Sequence, residues 1–177
     1  RDLLIASVLS DDPVLYIDDR WCYDTTDALD PPEDVDLNDI ESKVLRTGDD
    51  VTICAAGYST LQALRVAERL SLDVSCEVVD LRLINPLRLN SVIQSVRKTG
   101  RLLVVDGSWR SCGLAGEVIS SVLEGVNWDV FKSKPARVTL PDAPAPSSLA
   151  LENEYYPSDD YISEQIKRLM HSGFENG

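Results

Sequence analysis

One histidine, His171, serves the whole chain, and it follows the last predicted helix near the C-terminus. A serine or cysteine nucleophile needs a base, normally an imidazole, so catalysis by a triad is not expected. The four cysteines, Cys22, Cys54, Cys76 and Cys112, include no C-x-x-C pair. With one histidine and no ligand spacing, a zinc site is not expected either. Cys54 and Cys76 fall in apolar runs and read as reduced core thiols of a reducing compartment. Bases are scarce: 17 Lys and Arg stand against 30 Asp and Glu, a formal net charge of −13. That balance argues against nucleic acid and against anionic membranes as partners. No apolar run approaches the ~18 residues of a membrane span. Arg1-Asp2-Leu3 has neither the basic start nor the small-residue cleavage site of a signal peptide. No initiating methionine precedes it, so a fragment or a processed product is expected.

What is present is enough chain for a core: 177 residues suit one domain with an appendage. The acids are unevenly spread. Residues 1–50 hold 15 of the 30, with only Arg1, Arg20, Lys43 and Arg46 as bases. Residues 24–39 carry seven acids, no base and the pair Pro31-Pro32. They read as a solvated linker, although an acidic surface also suits a basic partner. Ahead of it, residues 3–9 are predicted helical, Pro13 stops them, and 14–17 read as a strand without an obvious neighbour.

Beyond the linker, strands alternate with helices, the pattern of a parallel α/β sheet. A short strand is placed at 43–46, and Gly48-Asp49-Asp50 forms a tight turn. The apolar run 51–56 reads as a strand buried on both faces. Gly57, Tyr58, Ser59 and Thr60 form a loop into a helix ending near Leu70. That helix is predicted to bury Leu61, Leu64, Ala67 and Leu70 and to expose Arg65, Glu68 and Arg69. Residues 76–81 form the next strand. Asn90 is the expected cap of a helix burying Leu89, Val92, Ile93 and Val96, and Gly100 closes it. Arg97, Lys98 and Arg101 read as its solvated C-terminal end. A strand at 102–106 leads through a polar loop to a helix over 113–124 with Leu114, Val118, Ile119 and Val122 inward. Residues 136–140 alternate as an edge strand should. The proline-rich stretch 141–146 is a stiff connector, Tyr155-Tyr156-Pro157 packs the last connection, and Ser158-Asp159-Asp160 caps a helix burying Ile162, Ile166 and Leu169. About four helices accompany five strands.

The block EVVDLRLINPL, then SVRKTGRLLVV, then DGSWRSCGLAGEV, at 77–87, 95–105 and 106–118, closely resembles a known family. It is similar to the C-terminal transketolase-type domain of beta subunits of 2-oxoacid dehydrogenase complexes. The family typically shows EVIDLRTLxPLD, SVKKTGRLVVVDEGWRxxGxGAEI and PDxPxPxSxxLExxYxPxxxxI. The last has its counterpart here in PDAPAPSSLALENEYYPSDDYI. The resemblance implies a three-layer α/β/α sandwich with a mixed five-stranded sheet, order 1-3-2-4-5, and the 43–46 strand antiparallel to the rest. It also implies a division of the chain. Residues 1–23 would be a remnant of a preceding pyrimidine-binding domain and 24–42 a linker. Residues 43–171 would be the transketolase C-terminal-type domain and 172–177 a tail. The sequence departs from the family at Arg88, where an acid often follows PL, at Asp106-Gly107-Ser108 in place of acid-acid-Gly, and in the tail HSGFENG.

Enzymes of that family use thiamin diphosphate and Mg to decarboxylate a 2-oxoacid and pass the acyl group to a lipoyl arm. The resemblance therefore implies an oxidoreductase parent of two alpha and two beta chains, in the cytoplasm, or in the mitochondrial matrix or a plastid of a eukaryote. The GDG…NN signature of the diphosphate–Mg site is absent from this sequence. The resemblance further implies that the glutamate and a key histidine lie on the domain preceding this one. No catalytic, cofactor-binding or metal-binding residue is thus expected here. Partners implied are the alpha subunit, a second beta subunit and the docking domain of the lipoyl acyltransferase. Two other readings stay open: the C-terminal domain of a transketolase or deoxyxylulose-phosphate synthase, and a small anion-binding module.

With the implied strand order, a crevice opens between the strands at 51–56 and 102–106, the usual ligand position in open α/β sheets. Its rims are Gly57, Tyr58, Ser59 and Thr60 on one side and Ser108, Trp109, Arg110 and Gly113 on the other. Both lead into helix N-termini, which offer free N–H groups to an anion or to a partner's carboxylate. A subunit contact is the competing reading. Ser108, Ser111 and Cys112 read as capping groups rather than nucleophiles. Trp109 is either an interface anchor or a side chain folded over its own loop. Gly113 and Gly116 are read as allowing close helix–strand packing.

Overall fold

Val51, Ile53 and Ala55 pack to one side of their strand and Cys54 to the other, and all are buried. Alternation with both faces apolar is what a strand covered by helices on each side requires. In the computed structural model, which describes residues 1–26, 28, 31 and 35–172, this strand is the central one of five in a single sheet. In chain order the elements are α1 Asp2–Leu9, β1 Lys43–Arg46, β2 Val51–Ala55, α2 Tyr58–Arg69 and β3 Cys76–Asp80. They continue with α3 Asn90–Thr99, β4 Leu102–Trp109, α4 Leu114–Gly125, β5 Ala136–Leu140, α5 Leu149–Tyr155 and α6 Asp159–His171. The sheet order is β1-β3-β2-β4-β5. Only the β1–β3 pair is antiparallel. The expected three-layer mixed sheet is the observed one.

The two apolar layers divide cleanly. Helices α2 and α6 cover one face, where Ala63, Val66, Ala67, Ile162 and Ile166 meet Val51, Ile53, Val78, Leu103 and Val105. Helices α3 and α4 cover the other, where Val92, Val96, Val118 and Val122 meet Cys54, Val79, Leu102 and Val104. Each such Val, Ile or Leu contributes about 1.5–3 kcal/mol by leaving water. One polar knot lies in the α3 layer: Thr52 Oγ1 is 2.7 Å from Ser95 Oγ and 2.8 Å from Thr99 Oγ1, all buried. Satisfying one another, these hydroxyls escape the cost of dry, unpaired polar atoms.

Several expectations need correction. Residues 14–17 are not a strand: they have no ladder partner and are exposed, because no sheet edge lies beside them. Helix α2 starts at Tyr58, so Tyr58, Ser59 and Thr60 are its first turn and not a loop. Its sheet-facing residues are Ala63, Val66 and Ala67, with Leu61 and Leu64 only partly buried on the flanks. Small side chains let the helix lie close to the sheet. Asn90 does not cap α3; its amide donates to Glu41 Oε1 at 3.1 Å, and no side chain caps that end. Gly100 does close it, with φ 73° and its N–H on Val96 O. Lys98 is not merely solvated, since it donates to the buried Glu77 carboxylate. Arg97 reaches Gly125 O, and Arg101 reaches Leu169 O and Asp50 O. Strand β4 runs on to Trp109, which pairs with Leu140 past a register shift. Among the described residues there are six α-helices: the one expected at the N-terminus, the four expected around the sheet, and α5, which was unforeseen.

The N-terminal stretch packs on the sheet domain. Ala6 of α1 is buried, and Ile40, at the end of the acidic stretch, is 2% exposed. Arg88 holds that end in place by donating to the carbonyl oxygens of Asn38 and Ile40. The residue that departs from the family pattern thus has a local task here. Part of the expected solvated linker is packed rather than free. Asp27, Leu29, Asp30, Pro32, Glu33 and Asp34 of it lie outside the described residues, as do 173–177 of the expected tail.

Candidate functional site

The two predicted rims meet at the C-terminal ends of β2 and β4. Ser59 Oγ lies 3.8 Å from where a Cβ on Gly107 would stand. Gly57 adopts φ 57°, a backbone that glycine takes without penalty, and turns β2 into α2. Thr60, in the first turn, reaches β3: its hydroxyl is 3.3 Å from Asp80 Oδ1. Burial pushes the Asp80 carboxyl above the usual range, against the lowering bonds from the Arg82 backbone and Thr60.

Several rim amides are already engaged. Tyr58 N–H donates to Asp19 Oδ2 at 3.1 Å, a carboxylate supplied from 39 residues upstream. On the other rim, Ala115 N–H donates to Asp106 Oδ2 at 2.7 Å and Leu114 N–H to Ser108 Oγ at 3.3 Å. Ser108 in turn donates both its N–H and its hydroxyl to Asp106. A carboxylate at each helix start satisfies free donors and opposes the positive dipole end. Ser108 is therefore a capping group. Ser111 is held separately, by its N–H and hydroxyl on Asp142, and these bonds set the Asp142 carboxyl below its ordinary value.

Trp109 is tied to another element of the domain rather than folded over its own loop. Its ring is half exposed, and its Nε1–H donates to Tyr155 Oη at 3.1 Å, anchoring the loop to α5. Tyr155 Oη donates onward to Ala143 O at 2.6 Å, tying the proline-rich connector into the same array. Arg110 is exposed, and among the described residues its guanidinium has no ion-pair partner. Gly113 is dictated by close approach: a Cβ there would sit 2.1 Å from Trp109 O and 2.4 Å from Ser108 Oγ. Gly116 is not, since its Cβ would meet only Arg137 Nη1 at 3.6 Å. A shallow hollow of about 350 Å³ lies between Gly107, Trp109, Cys112 and Leu140.

The residues present do not fit a diphosphate–Mg group. The amides that cradle phosphate elsewhere in α/β folds face Asp19 and Asp106, which would repel it. Among the described residues no three His, Cys, Asp or Glu side chains gather as metal ligands. The amide engagement and Asp19 were beyond sequence reading, because the carboxylate and the amide are distant in the chain.

Comparison with known proteins agrees with this architecture. The family described as "Transketolase, C-terminal domain" matches residues 41–162. The chain belongs to that family. Among curated relatives, the pyruvate dehydrogenase E1 component subunit beta of Rickettsia bellii is 31% identical over 173 residues, 97% of this chain and 52% of its own length. The beta subunit of the acetoin:2,6-dichlorophenolindophenol oxidoreductase of Bacillus subtilis is 31% identical, over 96% of this chain and 49% of the relative. The transketolase C-terminal-type chain thus spans about half the length of the curated relatives it matches. A solved split-gene transketolase, an inactive beta4 tetramer, superposes with a TM-score of 0.63 at 26% identity, covering 73% of this chain and 42% of that one. A 2-oxoglutarate:ferredoxin oxidoreductase from Magnetococcus marinus shares the fold alone, at TM-score 0.50 and 12% identity. Among the described residues no helix is long and apolar enough to cross a membrane.

Proposed function

We propose that this chain is the non-catalytic subunit-contact and docking domain of the beta subunit of a thiamin-diphosphate-dependent 2-oxoacid dehydrogenase. Residues 1–23 end the preceding pyrimidine-binding domain, and 43–171 form the contact domain. The observation that carries the reading is the collinear match, over nearly the whole chain, to beta subunits of pyruvate and acetoin enzymes. Those two kinds of relative are equally similar, so the reading stops at the class and names no 2-oxoacid. The site supports it in a second way: the rims carry capping groups, an exposed Trp109 and a free Arg110, the make-up of a contact surface rather than a reaction centre. The partners are an alpha subunit, a second beta subunit and the docking domain of a lipoyl acyltransferase. The bacterial relatives support a cytoplasmic setting.

A transferase of the transketolase kind is the second reading, favoured by the split-gene transketolase neighbour. An anion-binding module has less support, since the rim amides already face carboxylates. Reconstitution separates these. The chain is mixed with the upstream beta half and the alpha subunit of the same organism, with thiamin diphosphate and Mg. Decarboxylation of a 2-oxoacid should need all the polypeptides and fall when this chain is left out. Ketol transfer between sugar phosphates in place of decarboxylation would move the assignment to the second reading.

A further inference from the structure

Trp21 stands between two tyrosines of the sheet domain, 5.4 Å from the ring of Tyr58 and 5.6 Å from that of Tyr156. Two residues earlier, Asp19 accepts from Tyr58 N–H through Oδ2 and from Trp21 N–H through Oδ1, at 3.1 Å each. One carboxylate therefore shapes the turn Arg20–Cys22 and fastens it to the start of α2. The seat is rigid. Arg65 lies over the Tyr58 ring at 5.3 Å and grips both carboxylate oxygens of Asp159 of α6 through Nε and Nη2, at 2.9 and 3.1 Å. Tyr156 packs edge-on to Tyr155 at 5.0 Å, and Tyr155 accepts from Trp109 at the end of β4. The contacts Tyr58–Trp21–Tyr156–Tyr155–Trp109 thus run unbroken from the end of β2 to the end of β4.

We propose that residues 18–23 are a strap docked in cis on the α2 rim of the sheet's C-terminal crevice, with Asp19 as a tethered anion on α2 and the half-exposed Trp21 lying against Tyr58 and Tyr156. The position at which an open α/β sheet presents amides to an incoming anion is filled by the chain itself. A ligand or partner carboxylate reaches Tyr58 N–H only after the strap lets go. This holds whatever enzyme the domain serves.

Amide hydrogen exchange on the full chain tests it. Tyr58 N–H has no helical acceptor, so its protection rests on Asp19. Asp19→Ala should speed its exchange about tenfold, the worth of one hydrogen bond to a charged group. Trp21→Ala should do the same by loosening the strap, while the Ile53 amide in β2 stays as protected as before. In the wild-type chain, which needs no variant, nuclear Overhauser contacts should join the Trp21 indole to the Tyr58 and Tyr156 rings. Unchanged Tyr58 exchange in either variant, or absence of those contacts, overturns the strap.

Discussion

Lys98, at the end of α3, donates to the Glu77 carboxylate on β3, and Gly48 N–H donates to the same oxygen at 3.2 Å. Glu77 is 3% exposed, so it is a buried charge made tolerable by its partners. Burial alone would push its carboxyl up; the bonds from Lys98, Ser95 and Gly48 outweigh that and hold it below the usual value. The pair joins the tight turn before β2, the middle of the sheet and the α3 layer.

The sign of the pH effect follows. Because the folded value lies below the unfolded one, Glu77 adds stability that is complete above the unfolded value, about 4.3, and is lost as pH falls through the folded value. Glu77→Gln should cost about 1.5–3 kcal/mol at pH 7. It should also flatten the acid limb of a Tm-against-pH curve. An unchanged acid limb would show that the pair does not carry this term.

Gly113 and Gly116 stand three residues apart at the start of α4 and should respond oppositely to alanine. Gly113→Ala places a methyl 2.1 Å from a backbone oxygen that cannot step aside cheaply. It should cost about 1–3 kcal/mol or more in denaturant unfolding. Gly116→Ala meets nothing nearer than 3.6 Å, within a helix. It should be neutral or stabilise by up to about 1 kcal/mol.

The hydroxyl knot of the α3 layer predicts a cost for an apparently conservative change. Thr52→Val keeps the shape but removes the atom shared by Ser95 and Thr99. Thermal unfolding should show a loss of about 1–2 kcal/mol.

Thiol labelling should sort the cysteines by place. Cys112 is exposed in the β4–α4 loop, whereas Cys54 and Cys76 are buried in the sheet. Burial pushes the Cys76 thiol up to about 11 and that of Cys54 higher still. A disulfide reagent at pH 8 should label Cys112 at once, and Cys112→Ser should remove that fast phase. Cys54 and Cys76 should react only in denaturant.

Much of this was legible in the residues. The apolar runs at β2, β3 and β4 are long and β-branched enough to leave no other reading, and Gly100 marks its helix end without ambiguity. The order of the strands came from family resemblance, since apolar runs buried on both faces say nothing of which neighbour each has. The failures share one cause, dependence on distant residues. Residues 14–17 have strand-like side chains but no neighbouring edge. Helix α2 begins where Asp19 can satisfy its first amide, a fact invisible from Gly57 onward. Its inward face favours Ala63 and Ala67 over the larger leucines because close approach to the sheet decided it. Helix α5 hid behind the prolines of the connector, and its anchor is the Trp109–Tyr155 bond, 46 residues apart in sequence.

Under the proposed function, the reactive machinery of the parent enzyme lies on other polypeptide. Titration calorimetry of this chain alone with thiamin diphosphate and Mg tests it most directly. No saturable heat is expected from the isolated chain, with binding appearing only when the upstream beta half and the alpha subunit are added. Saturable one-to-one binding by the isolated chain would contradict it.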